Sequence, residues 1–156
     1  MAATRTNQTF LSYTSPAGTT SQYHVYAEGV DFSKPVGVVF YFDGDYWQRD
    51  ESKVYTPDEG MLAAMGKIAN ARNMVFVPII SPDTNASGNG ITWWEDMDAN
   101  GEFFRSFAKS FVSQNNLDYS KPVGVVFYFD GDYWQRDESK VCLLYTSDAA
   151  DDLLTV

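Results

Sequence analysis

The apolar and polar positions change period along the chain, and each change predicts an element. Residues 10–13 and 23–26 are short runs rich in aromatic and β-branched side chains, separated by the turn cluster Ser15-Pro16-Ala17-Gly18. Such a pair predicts a β-hairpin, the antiparallel start of a sheet. Val36-Gly37-Val38-Val39-Phe40-Tyr41-Phe42 is then apolar without interruption and stops at Asp43-Gly44-Asp45. A run of that kind reads as a central strand buried on both faces, as parallel strands are. Thr56-Pro57-Asp58-Glu59 supplies a cap and an acidic first turn, and Met61, Leu62, Met65, Ile68 and Ala69 follow at helical spacing. They predict a crossover helix ending at about Asn73. Residues 74–80 (MVFVPII) predict a second apolar strand, and the Pro, Asn, Ser and Gly of residues 81–90 predict a loop. Strand, helix and strand together read as a βαβ unit. Beyond Thr92-Trp93-Trp94-Glu95-Asp96, the residues Phe103, Phe104, Phe107, Ala108, Phe111 and Val112 recur at three and four positions. They predict a second helix whose apolar face needs a sheet to cover. Residues 123–129 offer a further strand. The expected fold class is α/β: a partial, mainly parallel, doubly wound sheet with an N-terminal β-hairpin and flanking helices.

The chain repeats itself once. Residues 31–54 recur as residues 118–141, and the two segments differ only at Phe32 against Tyr119. Structural repeats usually come in threes or more and drift on their exposed positions. Here Gln48, Arg49 and Ser52 are matched by Gln135, Arg136 and Ser139, so the copy reads as a recent joining event rather than a selected repeat. The following stretch, CLLYTSDAADD, resembles a translated sequencing adapter, which marks residues 142–156 as an artefactual tail outside fold reasoning. Three parts are expected: residues 1–117 as the folded unit, 118–141 as the copy, and 142–156 as the tail.

Composition narrows the classes. With 44% hydrophobic and 16% aromatic residues the chain can bury a core. The formal net charge is −10, and no Lys/Arg cluster offers a footprint for a phosphate backbone, so nucleic acid is not an expected partner. Half of that charge lies beyond residue 117 and therefore supports no argument for an acidic functional surface. No apolar run has the length of a membrane span, and residues 1–10 lack the apolar stretch of a signal peptide, so a cytoplasmic location is the default expectation. A lone cysteine, Cys142, excludes an internal disulfide and a thiolate metal cluster.

The ordered set of hairpin, Asp-Gly turn, helix, Arg-Asn-Met-Val-Phe-Val-Pro strand, Trp-Trp loop and Phe-rich helix resembles the N-terminal half of an α/β-hydrolase of the esterase type, over residues 8–117. In that family the turn after the central strand gives a backbone N–H to the oxyanion hole, and the nucleophile follows in a G-x-S-x-G elbow. The resemblance implies that Gly44, Asp45 and Tyr46 form the oxyanion turn, with Asp43 where the family usually has His. It also implies a small ester or acyl substrate for the parent protein. No G-x-S-x-G is present. Ser87 lacks the preceding glycine and strand, and His24 lies in a hairpin strand, far too early for the base of the triad, where a surface or cross-strand structural role is expected. A nucleophile without a base has no covalent route. The expected function is a fragment of a serine carboxylic-ester hydrolase that is itself inactive and needs no cofactor.

Other readings use the same residues. Asp43-Gly44-Asp45 after a strand also resembles the Asp-x-Asp of haloacid-dehalogenase-type phosphotransferases, in which the first Asp is the nucleophile and Mg²⁺ binds both carboxylates. A structural reading has these acids capping the loop. If the copied strand lay beside the original, Asp43, Asp45, Asp130 and Asp132 would meet at one sheet edge and would repel or recruit Ca²⁺ or Mg²⁺. Trp93 and Trp94, followed by Glu95 and Asp96, either line a pocket or close the core. Outside catalysis, the chain reads as a non-catalytic acidic binding module, or as one that self-associates through an open sheet edge.

Overall fold

A computed structural model describes residues 6–44, 46–58, 60–115 and 117, and the backbone of 123–127. The elements are β1 (Gln8–Thr14), β2 (Thr20–Val25), β3 (Gly37–Phe42), α1 (Gly60–Asn70), β4 (Met74–Ile79), α2 (Met97–Asn115) and β5 (Val123–Phe127), with single 3-10 turns at Arg49–Glu51 and Lys53–Tyr55. They form one sheet in the order β1-β2-β4-β3-β5.

The sheet is mixed, which corrects the expectation of a mainly parallel one. Within β1 to β4 two pairings are antiparallel, β1 with β2 and β2 with β4, against one parallel pairing of β3 with β4. β5 adds a second parallel pairing, to β3. The cause is the placement of the hairpin. Tyr23 stands opposite Ile79, and Tyr26 and Phe76 exchange both backbone hydrogen bonds at 2.9 and 3.1 Å, so the hairpin continues the sheet from β4. The apolar runs of β3 and β4 indicated burial on two faces and were silent about the strand beside β4.

Pleat alternation sends neighbouring residues of each strand to opposite layers. Val38, Phe40 and Phe42 of β3 and Val75, Val77 and Ile79 of β4 meet Phe103, Phe104, Phe107, Phe111 and Val112 of α2. Phe103, Phe107 and Phe111 are spaced by one turn and a fraction, and their rings meet Tyr13, Tyr23 and Phe40 edge-to-face at 4.8 to 6.2 Å. Each buried Phe contributes about 1.5–3 kcal/mol by area, and the edge contacts add to that. Tyr41, Phe76 and Ile80 turn the other way, onto Val54, Leu62 and Ala69. In α1, Gly66 is required by close approach: a Cβ there would stand 2.8 Å from the Tyr26 ring.

The predicted end of the first helix moves from Asn73 to Asn70. Asn73 itself adopts φ 57°, and its side chain ties the 31–35 loop by accepting from Asp31 N–H at 2.8 Å and donating to the Pro35 carbonyl at 3.0 Å. Asn tolerates the left-handed region better than most residues, which ends the helix before β4.

Candidate active site at the turn after β3

β3 lies between β4 and β5, and its carboxyl end opens where the connections leave for different layers, the usual place for a site in an α/β sheet. Asp43 is the first residue beyond the strand and is 3% exposed. Its Oδ1 accepts from the Tyr41 hydroxyl at 2.9 Å, the Gly44 N–H at 3.1 Å and the Tyr46 hydroxyl at 3.3 Å. Its Oδ2 accepts from the Ser52 hydroxyl at 2.7 Å and the Lys53 N–H at 2.6 Å. Five donors thus converge on one buried carboxylate, enough to offset the loss of its hydration. The side chain ties the turn to the 3-10 segment that follows it, the loop-capping role.

Tyr46 continues the frame. Its N–H donates to the Ile91 carbonyl at 3.1 Å, and its carbonyl accepts from Ile91 N–H at 3.2 Å and from the Asn85 amide at 2.8 Å. Gly90 is needed where these chains cross, since a Cβ would lie 1.7 Å from the Tyr46 carbonyl oxygen. Of the three amides in the expected oxyanion turn, those of Gly44 and Tyr46 are therefore held by internal acceptors. Asp45 lies outside the described residues, as do Asp130, Asp132 and Cys142. Of the expected acidic cluster, the structure places Asp43 alone. Among the described residues no group of three or more His, Cys, Asp or Glu stands close enough to hold a metal ion.

Trp93 is half-buried, with its ring edge-on to Phe42 at 4.7 Å, and its carbonyl accepts from Asn100 at 3.2 Å. Its indole N–H is buried without a partner. Trp94 is half-buried beside it, with its backbone N–H donating to the Thr92 hydroxyl at 3.0 Å. Asp83 holds this loop to α2 by accepting from Asp96 N–H at 3.0 Å and Asn100 at 3.1 Å.

Of the other candidates, Ser87 reaches the turn through Asn85, which donates to the Tyr46 carbonyl, and His24 lies on β2. Ser87 is in the 81–90 loop, and its hydroxyl donates to the Asn85 side chain at 2.6 Å. His24 is fully buried rather than at the surface. Its Nδ1 accepts from Phe10 N–H at 2.9 Å, which places the proton on Nε2, and that nitrogen donates to the Val54 carbonyl at 2.7 Å. Burial lowers its pKa from the usual histidine value, against smaller upward pulls from the Val54 carbonyl and the Asp58 charge. Tyr26, whose hydroxyl donates to the Pro57 carbonyl, is pushed up to about 12 by burial and by Asp58.

Two hollows of about 390 and 380 Å³ indent the surface elsewhere, one beside Asn70 and Lys67 of α1, the other beside Tyr23 and Phe111, and none of their lining residues belongs to the β3 turn. No helix among the described residues is long and apolar enough to cross a membrane. Sequence reasoning missed Ser52, Lys53, Asn85 and Gly90. They lie in irregular segments where no periodicity marks a contact. Trp47, 71% exposed beside the turn, was missed as well. Compared with protein-family models and with curated proteins, the chain matches none.

Proposed function

We propose that the chain carries the oxyanion-turn side of a serine carboxylic-ester hydrolase and hydrolyses no ester by itself. The observation that carries this reading is the pair of anchors, at Asp43-Gly44 and at Tyr46, that flank Asp45 at the carboxyl end of β3. Asp43 accepts from the Gly44 N–H and is itself held by four further donors, from Tyr41, Tyr46, Ser52 and Lys53, while the Tyr46–Ile91 bridge anchors the residue two beyond Gly44. A preorganised backbone is what oxyanion stabilisation demands, because donors that must reorient lose their advantage. With the Gly44 and Tyr46 amides engaged, the reading assigns the oxyanion to the Asp45 N–H. Trp93, packed on Phe42 at the same strand end, would border the acyl group.

The absence of turnover follows from the candidates for nucleophile and base. Both His24 nitrogens are engaged by backbone groups, the Phe10 N–H and the Val54 carbonyl, and the Ser87 hydroxyl donates to an amide oxygen rather than to a base. Incubation with a fluorophosphonate probe and a p-nitrophenyl ester is expected to give neither labelling nor release above solvent background. Labelling that disappears in Ser87→Ala would overturn the inactive reading. The parentage is tested by a long single-molecule read of the source DNA across the codons for residues 117–141. Continuation into a G-x-S-x-G elbow with later Asp and His codons is expected, and a read that reproduces the copied segment counts against it.

A further inference from the structure

β1 carries a bulge that is held by a titratable acceptor. Gln8 stands opposite Val25 and Leu11 opposite Tyr23, so three steps along β1 match two along β2, and Phe10 within them adopts φ 54°. A bulky residue seldom takes that left-handed conformation, which persists only where its surroundings hold it. Here the Phe10 N–H donates to a side chain, His24 Nδ1, at 2.9 Å, and the two rings meet edge-on at 4.8 Å. The bulge lies between fixed points. On one side Asn7 Oδ1 accepts from the Ala27 and Glu28 N–H groups at 3.0 and 3.2 Å, and on the other Leu11 to Thr14 pair in regular register with Tyr23 to Thr20. Nδ1 can accept the Phe10 bond only while it carries no proton. Protonated histidine is a donor at both nitrogens, so proton uptake sets two N–H groups against each other at Phe10, whereas the 2.7 Å bond from Nε2 to the Val54 carbonyl gains charge assistance. The two ends of the ring respond in opposite senses.

We propose that His24 is a proton-operated latch on the β1 bulge: protonation of Nδ1 releases Phe10 and opens residues 8–10 from β2, while the ring stays bound at Val54 and the rest of the sheet stays folded. Burial sets the threshold below the usual histidine value, against smaller upward pulls from the Val54 carbonyl and from Asp58, the charged group that acts on the ring among the described residues. β1 and β4, the neighbours of β2, contain no charged residue, and Lys53 in the 3-10 turn and Lys67 in α1 are exposed. The phenols of Tyr26, two residues along β2, and of Tyr55, next to Val54, are raised by burial and stay neutral in this range. The released ring regains affinity for a proton, so opening grows by up to about tenfold for each pH unit below about 6.5.

The test is NMR of the ¹⁵N-labelled full chain as the pH is lowered from above to below about 6.5. Long-range ¹H–¹⁵N spectra of the imidazole report which nitrogen carries the proton, and amide exchange, corrected for its intrinsic rate and repeated in dilute urea, reports opening. We expect Nδ1 to be unprotonated at neutral pH. Protection of the Phe10 amide should then fall along the His24 protonation curve, by up to about tenfold per pH unit and without dependence on dilute urea. Phe40 in β3 and Val77 in β4 should stay more strongly protected, with exchange that depends on urea. In His24→Asn, whose amide oxygen takes the place of Nδ1 and does not titrate, Phe10 protection should be independent of pH. A proton on Nδ1 at neutral pH, Phe10 protection that is unchanged while His24 titrates, a loss shared by Phe10 and Val77 with one urea dependence, or a pH slope retained in folded His24→Asn would each overturn the proposal.

Discussion

Replacing Asp43 by Asn keeps the shape of the side chain and removes its charge and one acceptor. The amide oxygen fits best at the Oδ1 position, where three donors converge, which puts the NH₂ group against Ser52 Oγ and Lys53 N. The Ser52 hydroxyl can rotate and accept. The Lys53 N–H cannot, and faces another donor across a distance that was 2.6 Å in the wild type. A buried unsatisfied N–H costs about 1–3 kcal/mol, and the remaining bonds fall from charge-assisted to neutral strength, roughly half. Relief of carboxylate desolvation returns part of this. A net loss of about 2–4 kcal/mol is expected, a large fraction of the 5–15 kcal/mol typical of a domain. Urea unfolding followed by tryptophan fluorescence should show a lower midpoint with an unchanged slope. Ser52→Ala, which removes one donor, should cost less, about 1 kcal/mol. A midpoint for Asp43→Asn within about 0.5 kcal/mol of wild type, the range of ordinary surface changes, would refute the claim that this carboxylate holds the turn.

Three further outcomes are expected. Because burial lowers the pKa of folded His24, the unfolded chain takes up this proton first, so its contribution to stability is fully present above about pH 6.5 and is lost as the pH falls below that value. The urea midpoint of the wild type should fall through this window, and that slope should be absent in His24→Gln. Gly90→Ala should be destabilising by more than about 3 kcal/mol, read as loss of the cooperative melting transition, since its Cβ would overlap the Tyr46 carbonyl oxygen and the obstacle is backbone. Trp93→Phe removes the unpartnered indole N–H while keeping an aromatic edge on Phe42, so its melting temperature should match or exceed that of the wild type.

The segments legible in the sequence were those in which one period decided the matter. β3 and β4 are continuous apolar runs, and the α2 phenylalanines repeat at helical spacing; both faces of the sheet follow from these. The direction of half of the sheet was not legible, because it depends on β2 lying beside β4 through Tyr23 and Tyr26, a choice no local pattern encodes. Asp43 was visible as a strand-terminal acid. Its partners were not, since Ser52 and Lys53 lie nine and ten residues downstream in a segment without periodicity. His24 shows the same limit: a hairpin strand reads as half-exposed by alternation, whereas the 3-10 turn meets its Nε2 and the Phe10 ring packs edge-on against it at 4.8 Å.

Ser52, Lys53 and Val54 connect these two buried groups. The first two donate to Asp43 at the end of β3, and the third accepts from His24 on β2, so three consecutive residues join the β3 turn to the hairpin. Either anchor restrains the same backbone, and each therefore lowers the entropy lost in forming the other. The two sites should then be coupled. Once Asp43→Asn has released Ser52 and Lys53, the Val54 carbonyl is poorly positioned and His24→Gln has less left to remove, so the double variant should be more stable than the sum of the single losses implies. Groups sharing one network commonly couple by 0.5–3 kcal/mol, and about 1 kcal/mol is expected here. Losses that add within about 0.3–0.5 kcal/mol, as for distant independent sites, would show the 52–54 segment to be held by its apolar contacts, chiefly those of fully buried Val54, rather than by the two polar anchors.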